Sequence, residues 1–303
     1  MKTFEGRKVI EEQLVYGLEG SENVYKYLPG KLISIPSRKG VKKAFSRRQI
    51  LVNGHFAKSF DIVSNNDQIK VLEYIGTISK EYDLDLNILY EDDFIAIVEK
   101  PPGIPTSGNK WKTLQNAIPG NVKGSKQGDA LSVPLTVHRL DAKTHGLVII
   151  AKTSTARIRL GEMFEQRKIQ KTYTAIVQGE ISGDGIFESD VDGKHAITHY
   201  RAKESFAHVK DKWNTILELS PETGRKHQLR VHLSEAGHPI VGDVKYSSKS
   251  DVLKGKGFFL SANRIEFQHP ITNEKIEVAT DLPNKFNRYI DRMERWYKRV
   301  NEN

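Results

Sequence analysis

The hydrophobic pattern in the second half of the chain is typical of short strands. Leu147 to Ala151 is a continuous apolar run of the length expected for a buried strand, and residues 171–177 alternate polar and apolar positions. Residues 214–219 and 258–267 have similar patterns. Since few helices interrupt these strands, the pattern predicts an α+β domain built on a largely antiparallel or mixed sheet.

Three further segments complete this part of the chain. Residues 88–103 give a strand, a turn and a second strand that ends at Pro101-Pro102-Gly103. A helix begins with capping residues at Thr153-Ser154 and runs to about Gln166. A terminal helix over residues 284–300 is predicted to contact the core through a stripe at helical spacing: Phe286, Tyr289, Ile290, Met293, Trp296, Tyr297 and Val300.

The first part of the chain has shorter elements and is predicted to form a separate small α/β domain over residues 1–80. An acid-containing linker at residues 80–86 separates it from a larger domain over residues 86–303. A chain of 303 residues is long enough for both domains.

Four segments make up the small domain. We expect a helix from about Lys8 to Leu18, then a basic helix from Lys42 that runs into a strand and a turn at Asn53-Gly54. Residues 61–64 and 68–72 alternate in the manner of strands.

Charge suggests a polyanionic partner without requiring one. Lys and Arg outnumber Asp and Glu by 47 to 38, for a net charge of +9. From Pro36 to Lys58 there are seven basic residues and no acid. A basic protein with no nucleic-acid partner would explain the total, whereas such a one-sign block favours a surface that releases counterions from phosphates.

Composition excludes several classes of function. No apolar run approaches the roughly 18 residues of a membrane helix, and residues 1–20 lack the hydrophobic segment of a signal peptide, so we expect a cytoplasmic protein. The absence of cysteine excludes disulfides, thiolate catalysis and cysteine-based zinc sites. The ten histidines show no clustering typical of metal ligands, and no P-loop or GxGxxG motif is present.

The segment with the most chemical information is Val137 to Lys152. It places Asp141 and Arg139 on a short polar loop immediately before Gly146 and the buried strand. A carboxylate at a loop mouth held by a rigid sheet suits a reactive group. The alternative is a turn in which Asp141 accepts backbone hydrogen bonds and pairs with Arg139.

This segment resembles the HRLDxxTSG motif of the RluA-type pseudouridine synthases. The matching positions are His138, Arg139, Leu140, Asp141, Thr144 and Gly146. Residues 99–105 resemble the upstream NKPxG segment of that family, and residues 171–179 its KxYxAxvxG strand. Residues 223–246 resemble its TGRxHQiRvH segment with the following GD and Tyr. Any one match is weak, but four in order over residues 88–270 are specific.

The resemblance implies an isomerase that detaches uracil from ribose within RNA, rotates it and rejoins it through carbon 5. It implies no cofactor and no metal. A carboxylate suits the reaction because cleavage places positive character on the anomeric carbon. Asp141 would act either as the nucleophile or as a base at the sugar.

The resemblance also assigns partners to Asp141. Arg230 would pair with it and lower its pKa, although a structural salt bridge is the alternative. Tyr173 would stack on the uracil and lie near the proton on carbon 5, or else be a packed sheet residue. Leu229 would either form an apolar wall for the base or only pack.

RNA contacts are expected at two places. Arg139 is associated in the family with the space that the flipped base leaves, and Lys171, Arg225 and Lys226 are candidates for the backbone. The N-terminal segment, with LVNG at residues 51–54 and DQIKVLE at residues 67–73, resembles an S-four RNA-binding domain. Its candidate contacts, unless the domain is a structural remnant, are Lys42, Lys43, Arg47 and Arg48.

Two residues depart from the family pattern. His145 stands where Ser is usual, and Ser261 stands where His is usual. Neither is one of the three proposed catalytic positions. His138 and His227 are interpreted as structural hydrogen-bonding residues.

The sequence leaves the substrate and some rival functions open. Large-subunit ribosomal RNA is the leading substrate and transfer RNA the second, and we expect a monomer. A non-catalytic RNA-binding protein would be expected to lack one of the three groups, and all three are present. A nucleic-acid glycosylase would release free base instead of rejoining it.

Overall fold

The computed structural model of the chain describes residues 3–4, 7–74, 81–208, 212–247 and 257–301. Its N-terminal part consists of short elements: β1 (Thr3–Phe4), β2 (Arg7–Leu14), β3 (Ser21–Asn23), α1 (Val24–Tyr27), α2 (Arg38–Ser46), β4 (Ile50–Val52), β5 (His55–Phe56), β6 (Ile62–Ser64) and β7 (Gln68–Leu72). Five strands form one sheet in the order β1-β2-β7-β4-β5, and β3 pairs with β6.

The predicted helix from Lys8 to Leu18 is wrong, because β2 occupies residues 7–14. β2 lies between β1 and β7 and pairs antiparallel with both. β7 pairs with most of β2, and β1 pairs with its first two residues. Tertiary pairing of this kind overrides a local preference for helix.

The basic helix and its turn are confirmed. The Ser37 side chain caps α2 by accepting a hydrogen bond from the Gly40 amide at 3.0 Å. β4 and β5 are joined through Asn53 and Gly54, whose φ angles are 50° and 82°. Two consecutive residues with positive φ are what a tight hairpin turn requires.

The rest of the chain forms a larger region with the following elements: β8 (Asn87–Glu91), β9 (Ile95–Lys100), α3 (Leu114–Ala117), a 3-10 turn (Ile118–Gly120), β10 (Ala130–Thr136), β11 (His145–Thr153), α4 (Ser154–Glu165), β12 (Gln170–Gln178), β13 (Asp184–Val191), β14 (Lys194–His208), β15 (Lys212–Pro221), α5 (Gln228–Glu235), β16 (Leu260–Gln268), β17 (Lys275–Ala279) and α6 (Lys285–Asn301). The strands and the two long helices predicted here are confirmed.

These strands form one ten-stranded sheet. Its order is β13-β14-β15-β12-β16-β11-β9-β8, with β10 paired to β11 and β17 paired to β16. Within the described ranges every strand pair is antiparallel except β11 with β16, which run parallel over only two residue pairs. The α+β prediction with a largely antiparallel, mixed sheet is confirmed.

Helix α6 contacts the core through its first half. Phe286, Tyr289 and Met293 are buried beside Phe259 of the sheet. Towards the end of the stripe, Tyr297 and Val300 are exposed, at 46% and 55%. The prediction of core contact is therefore correct for the beginning of the helix and wrong for its end.

The N-terminal sheet touches the large region at β10. The Lys8 ammonium donates to the carbonyls of Gly128 and Ala130 at 2.8 and 3.2 Å, and the Glu73 carboxylate accepts from the Ser132 amide at 2.6 Å. The expected domain boundary at residue 80 lies outside the described residues, so the division into two domains stays a prediction. Across the part of the chain that the structure describes, no helix combines the length and apolar character needed to span a bilayer.

Candidate active site

An open pocket of about 720 Å³ lies beside the loop that precedes β11. Five segments of the chain meet around it: this loop, the end of α4 with the residues that follow it, β12, the turn that leads into α5 with the start of that helix, and β16 through Leu260. The lining includes Arg139, Asp141, Phe164, Lys171, Tyr173, Arg225, Lys226, His227, Leu229 and Arg230. The loop, strand and turn motifs singled out in the sequence therefore converge on one cavity.

Asp141 lies on a tight turn, in which the Thr144 amide donates a hydrogen bond to the backbone carbonyl of Asp141 at 3.1 Å. Thr106 fixes the preceding residue, because its hydroxyl bonds both backbone groups of Leu140 at 3.0 Å. The Asp141 side chain is 21% exposed. Its carboxylate is therefore held by a fixed backbone yet can be reached from the pocket.

Lys100 fixes the same turn through a hydrogen bond to the carbonyl of Ala142. Its side chain is fully buried, and its ammonium donates to the carbonyls of Pro101, Ile104 and Ala142 at 2.9, 2.9 and 3.2 Å. Burial lowers the pKa of Lys100 to about 8, and the negative charge of Asp141 opposes that shift. Sequence reasoning missed this role, although Lys100 lies within the segment that carried the second motif.

Arg230 connects two carboxylates. Its Nη1 lies 3.1 Å from Asp141 Oδ2, while Nε and Nη2 donate to Asp243 Oδ2 and Oδ1 at 2.7 and 2.8 Å. Burial alone would lower the pKa of Arg230, but the hydrogen bonds and charge of Asp243, and then those of Asp141, raise it. A planar guanidinium held by two bonds on one edge presents its other edge in a fixed direction.

Asp243 was not named as a candidate by sequence reasoning. It is 1% exposed and follows Gly242 in the GD pair that the resemblance matched, so a signal was present. The contact that gives Asp243 its importance joins α5 to the segment after it. Only the folded chain brings the carboxylate to Arg230.

His227 lies closer to Asp141 than a purely structural residue would need to be. It has a φ of 60° at the start of α5, and its Nε2 is 3.6 Å from Asp141 Oδ2. Its Nδ1 is 2.9 Å from the Tyr246 hydroxyl, which fixes the ring. Burial lowers the pKa of His227, against the opposing charge of Asp141. The interpretation of His227 as a structural residue accounts for the contact of Nδ1 with Tyr246 but not for the approach of Nε2 to Asp141.

Tyr173 lies on β12, where it pairs with Leu219 of β15 and Ala262 of β16. Burial, followed by the charge of Asp141, raises the pKa of its phenol above the ordinary value near 10. Tyr173 is therefore a neutral hydroxyl at physiological pH. Leu229 is buried in the apolar cluster that includes Leu217, and it also lines the pocket. It therefore both packs in the core and forms part of the pocket wall.

Four of the candidate RNA contacts line the pocket: Arg139, Lys171, Arg225 and Lys226. Arg139 and Lys226 are exposed, whereas burial lowers the pKa of Lys171. The other four, Lys42, Lys43, Arg47 and Arg48, are exposed on α2 and the turn after it, and do not line this pocket. The two sets occupy separate elements of the chain.

His138 makes a backbone contact. Its Nε2 accepts a hydrogen bond from the Ile149 amide at 2.9 Å. Burial, followed by the charge of Lys171, lowers its pKa to about 3. A neutral ring bonded to β11 agrees with the interpretation of His138 as a structural residue.

The arrangement suits a reaction that develops positive charge next to an anion. Within the described ranges, the hydrogen bond to the Asp141 side chain ends on Oδ2, which leaves Oδ1 for a bound molecule. The cations around the pocket suit a polyanionic substrate. Neutral Tyr173 offers an aromatic face and one proton donor or acceptor.

Comparison with known proteins gives one consistent result. Residues 94–235 match the family model described as RNA pseudouridylate synthase. Ribosomal large subunit pseudouridine synthase D of Xanthomonas campestris pv. campestris is 31% identical over 287 residues, covering 84% of each chain. The protein of that name from Vibrio cholerae is 34% identical over 230 residues, covering 66% of this chain and 68% of its own.

A solved structure shares the fold. Human RNA Pseudouridylate Synthase Domain Containing 1 superposes with a TM-score of 0.54 at 25% identity. The match covers 66% of this chain and 84% of the human one.

Proposed function

The chain belongs to the RNA pseudouridylate synthase family and is an RNA pseudouridine synthase, an isomerase, and we propose that it acts on specific uridines of large-subunit ribosomal RNA. The observation that supports its chemistry best is Asp141, held beside Arg230 in a basic pocket that also contains Tyr173. The names of the relatives from Xanthomonas campestris and Vibrio cholerae support the choice of RNA. Transfer RNA is the second candidate.

Asp141 is the proposed catalytic carboxylate. Loosening the bond between base and sugar puts positive character on the anomeric carbon, and an anion near that carbon stabilises it. Arg230 and His227 both approach Oδ2. Oδ1 would then be the oxygen that attacks the sugar or removes a proton from it.

Arg230 and Tyr173 have different proposed roles. Arg230 orients the Asp141 carboxylate through its contact with Oδ2, and its own direction is set by Asp243. Tyr173 stacks on the detached uracil and lies near carbon 5, where a proton must leave after the new bond forms. Since its phenol is neutral, Tyr173 would act through hydrogen bonding rather than as a phenolate.

The target uridine must leave its RNA helix to enter the pocket. Unstacking costs a few kcal/mol, which contacts to the RNA must offset. We propose that Arg139 fills the space of the flipped base and that Lys171, Arg225 and Lys226 contact the backbone near the pocket. An S-four-like domain over residues 1–80 would add contacts through Lys42, Lys43, Arg47 and Arg48, beside a catalytic domain over residues 86–303.

We also propose a cytoplasmic monomer. Asp141, Tyr173 and Arg230 come from one chain and line one pocket, so no second subunit is needed to complete the site. A ribosomal RNA substrate would place the enzyme where ribosomes are assembled.

Mapping pseudouridine in cells tests the choice of substrate. Ribosomal and transfer RNA are compared between cells with the gene, cells without it, and cells carrying only Asp141→Asn. We expect specific large-subunit positions to lose pseudouridine in both defective strains. Loss confined to transfer RNA would favour the second candidate, and no loss in either RNA would contradict the proposal.

A further inference from the structure

The ten-stranded sheet consists of two halves that meet at one short junction. β11 pairs with β16 only through His145 with Ser261 and Gly146 with Ala262. β8, β9 and β10 lie on the β11 side, while β12 to β15 and β17 lie on the β16 side. The described strand ladders cross between the halves only here.

The proposed catalytic groups belong to different halves. Asp141 lies on the turn immediately before β11. Tyr173 lies on β12, opposite Ala262, and Arg230 lies on α5, which follows β15. The distances between Asp141 and its two partners therefore depend on how β11 sits against β16.

The backbones approach closely at the junction. Gly146 has a φ of 128°, and a Cβ there would lie 2.2 Å from the Ala262 carbonyl oxygen. Such an approach fits only glycine. A ladder of two residue pairs has few backbone hydrogen bonds with which to fix the position of β11 relative to β16. Side-chain hydrogen bonds across this boundary therefore contribute more to that position than they would inside a long strand pair.

His145 makes a side-chain bond across this boundary. Its Nδ1 lies 2.9 Å from the hydroxyl oxygen of Ser261, which is fully buried. On its other side, Nε2 lies 3.2 Å from Glu99 Oε1 on β9. Glu99 Oε1 also accepts from the Thr280 hydroxyl, just after β17. The series Ser261, His145, Glu99, Thr280 thus crosses the junction twice.

The hydrogen-bond directions follow from the partners. Glu99 can only accept when ionised, so the Nε2 of His145 carries the proton and Nδ1 accepts from the Ser261 hydroxyl. Burial lowers the pKa of His145; Glu99 opposes the shift, and Lys285 and Lys100 add to it. A neutral ring with one defined tautomer satisfies both contacts.

We propose that His145 is a positioning residue for the isomerisation, which holds the half of the sheet that carries Asp141 in register with the half that carries Tyr173 and Arg230. This inference rests on the proposed function of these three groups. The contact needs one imidazole and one hydroxyl, one on each strand of the junction.

The test separates chemistry from binding. Turnover of an RNA substrate is measured for His145→Ala, His145→Asn and Ser261→Ala, with thermal midpoints. We expect His145→Ala to lower kcat by about 10- to 100-fold, because small misplacements of reacting groups cost that much, with KM within about twofold. His145→Asn keeps an acceptor towards Ser261 and should recover part of kcat. Ser261→Ala deletes one oxygen and answers the question if His145→Ala does not fold.

Val148→Ala is the matched control, because Val148 is also buried on β11 but its backbone pairs with Val98 inside the same half. It should lower the thermal midpoint without the kcat loss of His145→Ala. The exchange variant His145→Ser/Ser261→His should turn over faster than either of its single changes. No gain from the exchange would count against the inference.

Besides failure of the exchange variant, two kinetic results would overturn the inference while the proposed function stands: an active wild type whose kcat is within about twofold in both His145→Ala and Ser261→Ala, or an equal kcat loss in Val148→Ala. An inactive wild type would instead contradict the proposed function. Amide hydrogen exchange at residues 145–146 and 261–262 tests the junction without turnover. Exchange there should accelerate in His145→Ala and Ser261→Ala and stay unchanged in Val148→Ala, and unaltered exchange in the first two would overturn the inference.

Discussion

Two regions carry positive charge: the pocket, and the α2 surface, which consists of Lys42, Lys43, Arg47 and Arg48. They differ in how firmly neighbouring groups fix the charged side chains. In the pocket, Arg230 is clamped by buried Asp243 and directed at Asp141. On α2, Lys42 and Lys43 are exposed and have no comparable clamp among the described contacts. A fixed charge can act on a single atom, whereas a solvated charge acts on the whole polyanion. Substitutions in the two regions should therefore change different quantities.

Asp141→Asn should have the largest effect. The change keeps the size of the side chain and removes its charge, so turnover should fall by at least about 1,000-fold. RNA affinity should stay within about threefold, because binding depends on many phosphate contacts. Single-turnover kinetics and filter binding on one RNA measure the two quantities. A large loss of affinity would show that Asp141 acts in binding.

Asp243→Asn should come next, with loss of both activity and stability. Removing one partner of a buried ion pair costs about 3–5 kcal/mol, and Arg230 loses its fixed direction. Denaturant unfolding and kcat are the measurements. The matched control is Asp184→Asn, whose pair with Arg201 is exposed on both sides and should contribute less than about 1 kcal/mol. Equal effects of the two changes would contradict the difference between clamped and solvated charge.

Tyr173→Phe keeps the ring and removes the hydroxyl. If the hydroxyl takes part in proton transfer, kcat should fall by about 100-fold, with RNA affinity unchanged. Because burial raises the pKa of Tyr173, the wild-type rate should show no change from ionisation of this phenol between about pH 6 and pH 9. A pH–rate profile of the wild type and of Tyr173→Phe measures both the loss of kcat and any ionisation of the phenol. Full activity of Tyr173→Phe would leave only a stacking role.

Lys42→Ala/Lys43→Ala should have the smallest effect. We expect weaker RNA binding, a salt dependence with a slope lower by about two, and the same single-turnover rate at saturation. Binding measured over a range of salt concentrations gives the slope. Lys194→Ala/Lys298→Ala, at exposed positions on β14 and α6, is the control. A slope equal to the control would remove α2 from the RNA surface.

The same contrast explains what the sequence could predict. Strands β8, β9, β11, β12, β15 and β16 were predicted from their apolar or alternating patterns, and the pocket groups from the ordered motifs, whereas β10, β13 and β14 were not predicted. β2 was not, since its structure depends on pairing with β7, 54 residues further on at its nearest ladder position. The roles of Lys100, Asp243 and His227 depend on contacts that only the folded chain creates. The His145–Ser261 bond joins residues 116 positions apart.

The product of the purified enzyme tests the central claim most directly. Wild-type protein and Asp141→Asn are incubated with large-subunit ribosomal RNA from cells that lack the gene, and the nucleosides and free bases are quantified by mass spectrometry. We predict pseudouridine without free uracil from the wild type and neither product from the variant. Free uracil from the wild type, or pseudouridine formed at the wild-type rate by Asp141→Asn, would contradict the account.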